Sequence, residues 1–336
     1  MRRHRNTAKT TGNRTRGVRT PWHHRPVATE STRDEAHPES GPDGTATAGT
    51  GAPHGKSVSA LFPGKTFISA VLEALDTKYR MTGTLVQRYL MRAAMAGMIV
   101  AILYVTNFGL IAVFDGIPVG EETLIGIGRA LGGLAFGWAL VFIYYTKSEL
   151  LTSNMMIVSI GGYYRRITAW RGLKILGLCL LGNFLGGLLI AVLYTMSTIP
   201  DGAAGEAMLA ATEHKLAYVA GGWEGYGDLF VRAVLCNFMI NLAMLLIYNG
   251  YIKDDLTKAL SMIAAVFVFA FLGLEHSVAN TVLFTVVGLN HGIDVLAALA
   301  NVGVALIGNF MGGGLLIGIY YAYVNDDSHY HPVSEA

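Results

Sequence analysis

GLEHSVAN, residues 273–280, follows SMIAAVFVFAFL (261–272), a run without a single charge. Glu275 and His276 therefore stand side by side in a stretch apolar enough to cross a bilayer. Ionisable groups at that depth are expensive, so such a pair has a partner or a function. The same problem recurs 126 residues upstream. There Glu149 takes the place of Glu275 and Asn154 that of Asn280, within TKSELLTSN (146–154). The 126-residue offset holds onward: Gly162 maps to Gly288, GNFLGG (182–187) to GNFMGG (308–313), and Tyr194 to Tyr320. RAAMAGM (92–98) and RAVLCNF (232–238) match more weakly at an offset of 140, so the first parts of the two copies differ in loop length.

A membrane-crossing helix needs about 20 apolar residues. Six stretches qualify: 88–113, 124–160, 170–198, 229–250, 257–290 and 294–324. The second and fifth are too long for one helix, and each holds one of the polar breaks. Three spans per copy is an odd number, so the second copy runs the opposite way through the bilayer. Folds of this kind place their pathway at the midplane, lined by discontinuous helices. Broken backbone survives in lipid only when it is buried in protein or faces a water-filled cavity. The segments Glu149–Asn154 and Glu275–Asn280 are therefore expected to face each other. The fold class that follows is an all-α integral membrane protein with six transmembrane helices, spans 2 and 5 broken, and an inverted 3+3 repeat. The pairs Gly128/Gly132, Gly182/Gly186 and Gly308/Gly312 are spaced for close helix packing.

Composition agrees. Of 336 residues, 52% are hydrophobic and 14% charged, far below the quarter typical of soluble domains. Residues 1–70 are read as a disordered, basic cytoplasmic tail, too poor in apolar side chains to fold and without a signal-peptide core. GAPHGKS (51–57) imitates a phosphate-binding loop, but Thr50 stands where that motif needs glycine. The membrane domain is placed at 71–325, with halves of about 80–200 and 225–325, followed by a cytoplasmic C-terminal tail, 326–336. Cys179 and Cys236 lie in apolar blocks and make neither a disulfide framework nor a zinc site; His329 and His331 read as a solvated tail. No cofactor, metal site or nucleic-acid partner is expected. Arg165, Arg166, Arg171 and Lys174, then Lys253 and Lys258, occupy one set of loops. Asp115, Glu121, Glu122, Asp201, Glu206, Glu213 and Glu224 occupy the other, with Lys215 their only lysine. Positive charge stays inside, so both termini are expected in the cytoplasm.

ELLTSN (149–154), GNFLGG (182–187), HK (214–215), CNFMINLAM (236–244), GLEHSVAN (273–280) and GNFMGGG (308–314) together resemble the formate/nitrite transporter family. The resemblance covers about residues 70 to 325. It implies a homopentamer of aquaporin-like protomers in the bacterial cytoplasmic membrane. Each protomer would carry its own pore for a small monocarboxylate or inorganic anion, moved with protons. By position, His276 matches the central pore histidine and Thr152 the threonine of the broken span. Leu151 and Phe269 match apolar constrictions, Lys215 a lysine near the outer vestibule, and Asn237 a pore-lining asparagine. The family usually has small residues before the acidic position, whereas here Lys147-Ser148 precede Glu149. Lys147 is read either as an ion-pair partner of Glu149 or Glu275, or as an added anion-attracting charge.

The chemistry follows from dielectric cost. A bare carboxylate in a medium of low dielectric costs on the order of 20 kcal/mol. Protonating it first at pH 7 costs about 5 kcal/mol. The expected route is anion capture at the vestibule, protonation at or near His276, and passage as the neutral acid, formate being the leading substrate. Lactate, nitrite and hydrosulfide are the alternatives. Glu149 and Glu275, with Asn154 and Asn280, are read as structural, the carboxylates bonding backbone N–H groups at the helix breaks. A water or glycerol facilitator would show Asn-Pro-Ala, which follows neither break, and no nucleophile–base pair or metal cluster marks an enzyme.

Overall fold

The computed structural model describes residues 58–330; the basic tail proper, residues 1–57, and residues 331–336 lie outside the described part. In chain order the elements are α1 (Val58–Leu61), α2 (Lys65–Thr84), α3 (Val86–Asp115), a two-residue hairpin (Pro118–Val119 with Glu122–Thr123), α4 (Ile125–Tyr145), α5 (Leu151–Tyr163), α6 (Ala169–Thr195), α7 (Ala203–Ala220), α8 (Gly222–Tyr248), α9 (Asp255–Phe271), α10 (Ser277–His291) and α11 (Val295–Asn309). A π-helical stretch, Phe310–Ile319, continues α11 into α12 (Tyr320–Val324). Five helices are long and apolar enough to cross a membrane unaided: α3, α4, α6, α8 and the continuous Val295–Val324. The sixth crossing is shared by α9, of 17 residues, and α10, of 15.

The repeat is visible in the packing. In the first half α3 packs along α6, in the second α8 packs along α11, and α4 meets α9 between the halves. A Cβ at Gly186 would strike the backbone carbonyl of Ala94, and one at Gly312 that of Val234. Ala94 and Val234 are 140 residues apart, like the arginines that precede them. Close backbone approach through glycine thus binds each half together.

The breaks are equally matched. α4 stops at Tyr145, and the chain turns through Lys147 at φ 55°. α9 stops at Phe271 and turns through Gly273 at φ 63°. Both then extend, Leu150 at φ −102° and His276 at φ −106°, before α5 and α10 begin. Only glycine enters the left-handed region without penalty, so Lys147 holds its place against a local cost that Gly273 avoids.

Three elements differ from the sequence reading, the first being α1, Val58–Leu61, which folds inside the stretch read as tail. Helix α2 begins at Lys65, inside the stretch read as tail to residue 70, because Phe67, Ile68, Val71 and Leu75 form an apolar stripe buried against the bundle. Ala203–Ala220, read as loop, fold as α7, which buries Met208, Thr212 and Lys215. Helices α2 and α7 occupy equivalent places in the two halves. The start of the C-terminal tail is also tied down: Tyr163 donates to Asp326 at 3.1 Å, and Lys65 pairs with Asp327.

Candidate functional site

Each helix break exposes backbone groups that lipid cannot satisfy. One asparagine per half satisfies them. Asn183, on α6, donates through Nδ2 to the carbonyls of Ala93 and Glu149, both at 2.8 Å, and accepts the Leu151 amide at 3.0 Å. Asn309, 126 residues on, donates to the carbonyls of Ala233 (2.8 Å) and Glu275 (2.9 Å) and accepts the Ser277 amide at 2.9 Å. The middle residue of the repeated GNF motif is therefore the clamp on each break.

The two buried carboxylates bond lysine and asparagine side chains, which corrects the expectation that they cap backbone N–H groups. Glu149 takes Lys78 of α2 and Asn154 Nδ2, the latter at 3.2 Å. Glu275 takes Lys215 of α7 at 2.7 Å and Asn280 Nδ2. With Asn clamps and His276 already serving the amides, the carboxylates are free to neutralise the one buried ammonium each half brings in. Lys215 is thus a buried partner on the vestibule floor rather than an open charge at its mouth. Lys147 pairs with neither carboxylate, since Lys78 and Lys215 hold them; it is exposed, its ammonium 4.8 Å from the Tyr144 ring centre.

Between the breaks, Thr152 Oγ1 lies 3.1 Å from His276 Nε2. The other ring nitrogen, Nδ1, accepts the Ala279 amide at 3.0 Å and so caps α10. An accepting Nδ1 carries no proton, which assigns the neutral tautomer with Nε2–H donating to Thr152. The Thr152 carbonyl is fixed behind by Asn237 (3.1 Å) and Asn241 (3.2 Å). Phe269 stacks on the imidazole, ring centres 5.8 Å apart, and Phe136 packs edge-on against Phe269.

Two cavities lie beside these residues, one touching His276 and Phe269, the other Leu150 and Ser153. One, of about 500 Å³, is lined by Phe136, Phe269, Arg129, Lys215, Glu275 and His276 among others. The second, of about 510 Å³, is lined by Lys78, Arg92, Lys147, Glu149, Leu150 and Ser153 among others. Leu151 is buried and borders neither; Leu150 supplies the aliphatic wall. Asn237 was expected to line the pore but is fully buried and borders neither cavity. Its amide is consumed by the backbone of Thr152 and Asn309.

The family model for formate/nitrite transporters matches residues 65–323. The chain belongs to the formate/nitrite transporter family. It is therefore a multi-pass membrane protein of a family of channels and transporters. This family member is 29% identical over 204 residues to the nitrite transporter NirC of Salmonella typhimurium, covering 58% of this chain and 71% of that one. It is 26% identical over 212 residues to the formate channel BtFdhC of Bacillus thuringiensis, covering 63% and 78%. Its fold is like that of a solved FNT family ion channel, with a TM-score of 0.65 at 24% identity, over 78% of this chain and all of that one. A pentameric formate channel with formate bound gives 0.57 at 20% identity, over 71% and 97%.

Lys78, Asn183, Asn309 and Phe136 were not singled out from the sequence. The two asparagines had a signal, since they sit at the centre of the repeated GNF motif. Lys78 had a fainter one, an amphipathic helix with a lysine on its buried face. Phe136 had none, because an aromatic residue in an apolar span reads the same whether it faces lipid or pore.

Proposed function

We propose that each protomer conducts small monovalent anions, formate foremost, with a proton as the neutral acid past His276, and that five protomers assemble in a bacterial cytoplasmic membrane. The vestibule bordered by α7 faces outward and the one bordered by α2 faces the cytoplasm, as the basic loops dictate. The observation that carries this reading is the buried Thr152–His276 bond, which joins the two helix breaks between two cavities lined by charged side chains. Cations at the cavity walls concentrate the anion. Phe269 and Leu150 then exclude water, so charge must be shed before crossing. His276 presents a fixed Nε2–H and Thr152 a hydroxyl where the oxygen of the acid passes. Because Nδ1 is engaged with Ala279, the imidazole acts as a neutral hydrogen-bond donor, and the accompanying proton joins the anion from vestibule water.

Counterflow of labelled formate, lactate and nitrite through purified protein at two pH values tests the reading. Formate is expected to exchange fastest, and faster at the lower pH, since each unit multiplies the neutral fraction about tenfold. Passage of glycerol, or anion flux indifferent to pH, would contradict it.

Lys147 adds a charge to the cytoplasmic vestibule at a site where the other half uses glycine. Replacing it with glycine is expected to stabilise the protein by about 1 kcal/mol, through relief of the left-handed backbone. The same change is expected to weaken anion uptake from the cytoplasmic side severalfold. Thermal unfolding and sided initial rates check both; an unchanged sided rate removes Lys147 from anion capture.

A further inference from the structure

The turn between α5 and α6 forms a basic pocket away from the pore. A cavity of about 310 Å³ is lined by Tyr79, Gly162, Arg165, Arg166, Ile167, Thr168 and Arg171. Three arginines thus line one small space. Arg171 lies over the Tyr79 ring, 4.8 Å from its centre, a cation–π contact that holds it without neutralising its charge. Arg166 is 3.5 Å from Asp76, a loose pair in which both side chains are about half exposed. Arg165 has no carboxylate within salt-bridge distance among the described residues.

The backbone was shaped to place them. Arg166 N–H donates to Gly161 O at 2.8 Å and Arg165 N–H to Gly162 O at 3.0 Å, the pairing of a helix end that normally recruits glycine. Arg165 fills that position at φ 52°, so the guanidinium is held there at a conformational cost. Facing it, α6 begins after Thr168, whose hydroxyl accepts the Arg171 amide at 3.4 Å. The first amides of α6 lack intrahelical acceptors and add positive potential. The lipid-side neighbours are apolar: Trp170 is 74% and Leu173 60% exposed, as expected for residues at the headgroup level.

We propose that this pocket binds the phosphate of an anionic phospholipid headgroup in the leaflet on the basic side of the membrane. Guanidinium forks match phosphate oxygens geometrically. A basic cluster at a membrane surface gains most from anionic lipid. The occupant is a lipid rather than free phosphate because Trp170 and Leu173, exposed apolar residues flanking Arg171 in the chain, offer a surface for acyl chains.

The test is thermal unfolding of the purified full chain in detergent, titrated with phosphatidylglycerol, phosphatidylcholine or inorganic phosphate. Phosphatidylglycerol is expected to raise the midpoint saturably, and phosphatidylcholine is not. Arg165→Gly and Arg171→Gln should each weaken the apparent affinity about fivefold. Arg165→Gly relieves the strained turn, so it keeps its fold and its loss of response cannot be laid to unfolding. Lys253→Gln, in another loop of the same side, should respond like wild type. The proposal is overturned if phosphatidylcholine works equally well, if the arginine variants respond like wild type, or if Lys253→Gln loses as much. It is also overturned if inorganic phosphate alone gives the full shift, which would make this a free-phosphate site.

Discussion

Lys215→Met is expected to lower stability by about 3–5 kcal/mol, enough to prevent isolation of an intact assembly. Glu275 is 1% exposed, and its charge is balanced by Lys215 at 2.7 Å. Removing one member of a buried pair leaves an uncompensated charge, which is far worse than removing both. Lys215→Met/Glu275→Leu should therefore recover most of the loss, and Asn280 keeps its bond to Asn301 at 2.9 Å in that background. Unfolding midpoints of the two single variants and the double variant form a cycle whose coupling measures the pair. Additive effects would mean that the two side chains do not depend on each other. Lys78 and Glu149 should behave alike, since they form the equivalent pair.

Asn309→Leu is expected to cost roughly 4 kcal/mol with no change in charge. Its side chain is fully buried and serves the Ala233 and Glu275 carbonyls and the Ser277 amide. A buried polar group stripped of its partner costs about 1–3 kcal/mol, and leucine strips several at once. The damage falls on the break that positions His276, so detergent stability and transport should fail together. Full stability in Asn309→Leu would show that the break is held by something else.

Much of the architecture could be read from the chain because the repeat is written in residues that backbone physics constrains. Glu149 with Glu275, Asn154 with Asn280, and the GNF motifs all recur at one offset. An odd number of spans per copy then forces inversion. Helix α7 escaped because its composition, AAGEAMLAATEHKLAYVA, is alanine-rich and mixed with charge, without the unbroken apolar run of a span. Side-chain partnership was the least legible layer. Sequence position near the break makes Lys147 a candidate partner for Glu149 or Glu275, yet the ammonium that reaches Glu149 comes from Lys78, 71 residues away, and the one at Glu275 from Lys215. The resemblance places Asn237 among pore-lining residues, but whether an asparagine faces a cavity or backbone depends on the fold around it. The tautomer of His276 depends on the bond from the Ala279 amide, which forms only together with the start of α10.

Formate flux in proteoliposomes carrying His276→Asn tests whether a fixed Nε2–H at His276 opens the apolar barrier to the neutral acid. Asparagine is a good helix N-cap, so α10 keeps its start, while the donor that reached Thr152 is lost. Formate flux at pH 7 is predicted to fall roughly a hundredfold, in a variant with the unfolding midpoint of the wild type. Flux of wild-type size, with the same rise as pH falls, would contradict the account.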